Sequence, residues 1–163
     1  MRHFPNRALP LAVLTLLAFS VPLPAQTPAV QSRVASGEFD GASTRPASAH
    51  TAPQTGLTRL TFQKSYRGGL EASAAGVMLA SSLPGASVQS SIALEEVAGT
   101  LEGRRGTFVL QHAATSAEGR STIVITVVPG SGTGELTGLT GTLTVISGPG
   151  TRRYELTYRL PAP

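Results

Sequence analysis

The chain has 163 residues, 13% of them charged, with 18 glycines, 12 prolines, no cysteine and no tryptophan. That length holds one domain, and without cysteine there is no disulfide, thiol nucleophile, thiolate metal site or lipidated N-terminal cysteine. The formal charge of +4 falls to +2 once Arg2 and Arg7 leave with the leader described next, a surplus too small to call for a nucleic-acid partner.

The first residues, MRHFPNR, make a basic start, and ALPLAVLTLLAFSVPLPA after them is apolar and ends on small residues. Its uninterrupted part, Leu11 to Val21, is far short of the ~20 apolar residues that span a bilayer. Pro22 and Pro24 weaken the alternative of a retained anchor helix. Residues 1–25 are therefore expected to be a secretory signal cleaved after Ala25, with Ala29 as second choice. The product is exported, periplasmic or secreted, with no stable membrane anchor. A disordered tail is expected over 26–32 and one β domain over 33–163.

A first strand is expected near 33–40. The following GASTRPASAHTAPQTG, residues 41–56, is too small and polar to order itself by burial; it predicts a flexible surface loop carrying a solvated His50. From Leu57 the period is two. The clearest case is the end of the chain, where Tyr154, Leu156, Tyr158 and Leu160 alternate with Arg153, Glu155, Thr157 and Arg159, a strand with one buried face. Leu60 and Phe62 alternate likewise, as do Phe108, Leu110 and His112. STIVITVV at 121–128 is β-branched almost throughout, as for a strand covered on both sides. With turn signals at Gly68-Gly69, Pro84-Gly85, Gly103 to Gly106, Glu118-Gly119 and Pro129-Gly130, further strands are expected near 57–66, 70–80, 86–98, 107–116, 120–128, 139–147 and 152–160. Eight strands joined by short turns are antiparallel. They form a sandwich, or close into a barrel whose interior is either filled by side chains or left as one small-ligand cavity; the pattern alone does not choose.

The most informative stretch is Ile92 to His112. If Gly103-Arg104-Arg105-Gly106 is the hairpin connection, Leu101 faces Phe108, Gly99 faces Leu110, Val97 faces His112 and Glu95 faces Ala114. Opposed residues share a side, so Glu95 and His112 are diagonal neighbours on an apolar, inward face. Val88, Ile92 and Leu94 run in the opposite phase and would need a bulge near Leu94 to be buried as well. The pair has two readings: an acid/base site whose members perturb each other, or a satisfied polar contact in a core. No placed serine or second carboxylate supports a triad or a glycosidase pair. With His112 the one suitable imidazole, no metal and no cofactor are expected. Phe108, Leu110, Tyr66, Tyr154 and Tyr158 join Glu95 and His112 as candidate cavity-lining residues, although half-buried tyrosines need no ligand. The doublets Arg104-Arg105 and Arg152-Arg153 fit an anion clamp or a solvated turn. The glycine segment Gly130 to Gly141 has no following lysine or helix, so a phosphate loop is rejected in favour of a tight turn or bulge.

GTLEGRRGTFVLQH at Gly99–His112, VVPGSGTGELTGLTG at Val127–Gly141 and the closing YELTY at Tyr154–Tyr158 occur in an order that resembles a bacterial family of unknown function, DUF3224. The likeness runs from about Ser36 to Leu160. The Gly132–Gly141 pattern is also similar to the glycine segment shared by allene oxide cyclases and plant dirigent proteins. The resemblance implies an all-β, eight-stranded antiparallel barrel like that of allene oxide cyclase, with an internal cavity and a tendency to form homo-oligomers. It places Glu95 and His112 on positions matching the family motif and brings no activity. Three functions are therefore weighed: an exported barrel binding a small, mostly apolar molecule; a cyclase- or isomerase-type enzyme using Glu95 and His112; and a structural barrel with a filled core.

Overall fold

Alternation in sequence becomes alternation in burial. In β9 (Thr151–Arg159) Tyr154, Leu156 and Tyr158 are buried while Arg153, Glu155, Thr157 and Arg159 are exposed. The same two-residue period marks stretches of β1 (Arg33–Thr44), β4 (Leu70–Ser82), β5 (Val88–Leu101), β6 (Arg104–Ala117) and β8 (Thr140–Gly148), and the later parts of β3 (Leu57–Gly68) and β7 (Arg120–Val127). A two-residue β2, Thr51–Ala52, pairs with the start of β3. The structure, a computed structural model, describes residues 31–44, 51–52, 56–82, 88–148 and 151–161. The expected signal over 1–25, most of the tail after it, and His50 lie outside the described residues.

The eight long strands make one antiparallel sheet in the order β1-β9-β8-β7-β6-β5-β4-β3, and β1 also pairs with β3, which closes the ring into a barrel. β1 closes it by serving two neighbours. Its first half, Arg33 to Glu38, pairs with Tyr158 to Arg153 of β9, and its second, Gly37 to Thr44, pairs with Gly68 to Thr61 of β3. A sandwich is thereby excluded.

Four expectations are corrected. β1 continues through Thr44 and Thr51–Ala52 is paired, so strand occupies part of the expected 41–56 loop. A ladder uses backbone groups, which small polar residues offer as well as any others. The β5–β6 hairpin turns at Glu102-Gly103, so that Leu101 faces Arg104, Val97 faces Phe108 and Ala93 faces His112. Both turn residues have positive φ, 47° and 80°, the two-residue geometry whose twist matches the flanking strands. No bulge forms near Leu94: β5 keeps one register against both β4 and β6, and Val88, Ile92 and Leu94 stay on the outer surface. β7 is likewise covered on one side only, with Val124 51% exposed. A single-walled barrel has one dry face, and its inward positions on β5 belong to Ala93, Glu95, Val97 and Leu101.

The interior is packed at one end. Leu70, Val97, Leu101, Phe108, Leu110, Tyr154, Leu156 and Tyr158 fill it, and Leu136 and Leu139 from the β7–β8 connection stop its mouth. Gly134–Leu136 is a 3-10 turn held against β6. The Thr133 N–H donates to the Thr107 carbonyl at 2.9 Å, and the Arg105 N–H donates to Glu135 Oε2 at 2.8 Å. The Thr133 carbonyl lies where a side chain on Gly106 would be. The glycine segment thus closes backbone against backbone, as a tight turn should.

Candidate functional site

Above the packed half the barrel holds a charged cluster drawn from three strands. Glu95 points inward from β5, Lys64 and Tyr66 from β3, and His112 from β6. Strands β3 and β5 are not neighbours; β4 lies between them, and two ladder spacings are about 10 Å. Their side chains meet because β4 presents only Ala72, Ala74 and Gly76 beneath them. A Cβ on Gly76 would collide with the Phe62 ring and come within 2.6 Å of the Leu94 carbonyl oxygen.

Glu95 is completely buried and both its oxygens are occupied. Oε1 accepts from the Tyr66 hydroxyl at 2.9 Å. Oε2 accepts from Lys64 Nζ at 2.6 Å, and His112 Nε2 stands 2.7 Å from the same oxygen. Burial alone pushes the Glu95 carboxyl up, but His112 and Lys64 together outweigh it and hold the group below the ordinary carboxylate range. The Tyr66 phenol moves the other way, raised by burial and then by the Glu95 charge, so it remains a donor. The Lys64 ammonium also sits over three rings, 5.1 Å from the centroid of Phe62, 5.5 Å from Phe39 and 5.8 Å from Tyr66. Such rings stabilise a desolvated cation.

Over this cluster, toward the end opposite the plug, is a cavity of about 330 Å³. Phe62, Met78, Ile123, Ile125 and Val145 give it apolar walls; Lys64 and His112 form its floor and Arg152 stands at its rim. His112 is the member of the Glu95–His112 pair that reaches the cavity, with its side chain 15% exposed. His112 Nε2 is buried against Glu95, so a proton exchanged with a bound molecule passes through the other ring nitrogen, Nδ1, while Glu95 orients the ring. Among the described residues no three His, Asp or Glu side chains are grouped to hold a metal ion.

The expected diagonal between Glu95 and His112 is present, despite the different register, because the shift kept its parity. Tyr66 joins them. Phe108, Leu110, Tyr154 and Tyr158 instead belong to the packed half: Leu110 is the ladder partner of Glu95, and the Tyr154 hydroxyl accepts from the Leu70 N–H at 2.8 Å and donates to the Arg67 carbonyl at 3.2 Å. Sequence reasoning passed over Lys64, although it stands in phase with Phe62 and Tyr66 in LTFQKSY. It also left Arg152 without a direction, although that residue is in phase with Tyr154.

The model of the family "Protein of unknown function (DUF3224)" matches residues 35–158. The chain is also similar to the crystal structure of a protein of unknown function from that family from Shewanella oneidensis MR-1. The two are 34% identical with a TM-score of 0.74, over 82% of this chain and all of the other. The chain has no match among the curated proteins.

Proposed function

The chain belongs to the DUF3224 family, and from that premise we propose that it is an exported barrel whose half-empty lumen binds a small, mostly apolar molecule. One observation carries the reading: the lumen is packed at one end and, at the other, leaves about 330 Å³ with apolar walls over a polar floor. Ligand pockets have that composition, with a few placed polar groups among apolar ones. A filled structural core describes only the plugged half. The likeness to the allene oxide cyclase barrel belongs to the same proposal and adds no reaction to it. Export rests on the leader at residues 1–25, and the intact mass of the protein recovered from its host should correspond to a chain beginning at Gln26.

The test is uptake of an environment-sensitive apolar fluorophore, with native mass spectrometry of protein from its own host to catch a retained ligand. Ala93 and Ala114 line the cavity, and Ala93→Phe places a ring in it. Uptake that disappears in the folded Ala93→Phe protein supports the reading; uptake that is absent in the wild type, or unaffected by the substitution, defeats it.

A second reading, a cyclase- or isomerase-type enzyme, is favoured by His112 reaching the cavity with Glu95 behind it. It requires a turnover that falls roughly 10²-fold or more in His112→Ala while apolar uptake persists.

The proposal includes self-association of this chain. Val77 faces Leu94 and Leu79 faces Ile92 on the outer wall, all between 40% and 59% exposed. Arg59 extends one row of this patch and Glu96 lies past the opposite corner. A second copy turned by half a revolution brings those unlike charges together across the apolar rows.

A further inference from the structure

The charge of the cavity wall is one-sided. Among the described residues its lining includes Lys64 and Arg152, with His112, and no aspartate or glutamate. The nearest interior carboxylate, Glu95, is sealed beneath the floor with both oxygens engaged by Tyr66, Lys64 and His112. That leaves Lys64 answered and Arg152 unanswered. Arg152 has no ion-pair partner among the described residues. Glu38 and Asp40 line an outer crevice with it, but Asp40 pairs with Arg67 at 2.7 Å, and Glu38 lies opposite Arg153 of β9 and Arg67 of β3 in the ladder and makes no ion pair with Arg152.

Resting on the lumen-binding reading above, we infer that the ligand is an amphiphile with one anionic oxygen group, a carboxylate, held at the rim by Arg152 while its apolar body descends toward His112. A guanidinium is the side chain suited to this task, because its planar fork matches a carboxylate's two oxygens. The opposite orientation is disfavoured, since an anion at the floor would meet Lys64 already neutralised by Glu95. Size follows from volume: at about 30 Å³ per water-sized group, 330 Å³ accommodates roughly eleven such groups, a chain of about ten carbons with its head group.

Three probes of equal length separate the alternatives: decanoate, decanol and decyltrimethylammonium, each below its aggregation limit and titrated calorimetrically into the protein. Decanoate is expected to bind about tenfold more tightly than decanol, with the ammonium weakest, and its advantage should shrink as salt is added. Arg152→Gln, at an exposed rim position, should abolish the advantage and leave decanol unchanged. Arg153→Gln, on the outer face of the same strand, should change neither. Equal affinities for decanoate and decanol overturn the anionic ligand but leave lumen binding standing. Failure of all three to bind, alongside failed fluorophore uptake, overturns both.

Discussion

Glu95 is a fully buried carboxylate that nevertheless stays charged, and its environment sets a sign that can be measured. Its folded pKa lies below the ordinary 4.5, so the unfolded chain takes up the proton more readily and stability rises with pH. The contribution is complete above the ordinary value and is lost as pH falls through the folded one. Melting temperatures recorded from pH 6 down to pH 3 should therefore drop more steeply for the wild type than for Glu95→Gln; parallel curves would show that the carboxylate adds nothing. The pairing makes a second prediction. Lys64→Met leaves the buried Glu95 charge with only His112 and the neutral Tyr66 hydroxyl as partners and should cost about 3 kcal/mol in urea unfolding, whereas Lys64→Met with Glu95→Leu, which removes both charges, should recover most of it. A double variant no better than the single one would show that the cluster is held by packing and not by charge. Of this cluster, Glu95 and His112 were legible because both interrupt apolar stripes on the two strands of one hairpin. Lys64 was not, since a lysine in an apolar stripe reads as a surface residue unless its partner is known, and here the partner lies 31 positions away.

At the level of elements, the strands were legible to within a few residues because one-sided burial writes a period of two. Register was less so. Parity survives, but the glycines at 103 and 106 suggest a connection between them, whereas the chain turns at Glu102-Gly103. The same geometry recurs at Glu118-Gly119, with φ of 51° and 74°, so a Glu-Gly pair in the left-handed region is this chain's repeated hairpin device. Nothing lies within 4 Å of a Cβ built on Gly103, so Gly103→Ala isolates backbone strain and should cost about 1–2 kcal/mol. Glu102→Asn should be neutral or stabilising, since asparagine tolerates that region better. Urea midpoints check both, and an unchanged midpoint for Gly103→Ala would mean the turn relaxes to another type. The bulge near Leu94 was expected on the assumption that every apolar stripe must be buried within its own chain. β5 has apolar residues in both phases, and continuous pairing on both sides leaves one set facing outward.

At the scale of the whole molecule, a closed ring protects the backbone edges of its sheet but gives its outer face no second layer. The outward row Leu79–Ile92–Ala113–Val124 and the neighbouring Val77–Leu94 pair form apolar surface of the kind that marks contact sites when it is contiguous. Strand pairing within the chain is already satisfied there, so any association must use side chains, face to face. A charge set in the centre of such an interface is desolvated against its symmetry mate and opposes assembly, while on a free wall it is solvated and costs little. Leu94→Glu, 57% exposed in the single chain, should accordingly lower the mass measured by light scattering to that of one chain without lowering the melting temperature measured at dilutions where the wild type is also dissociated. Thr144→Glu, exposed on β8 away from the patch, should leave the mass unchanged. If wild type and Leu94→Glu both scatter as single chains at high concentration, the outer rows do not join copies. If both scatter as the same oligomer, the copies meet elsewhere on the barrel.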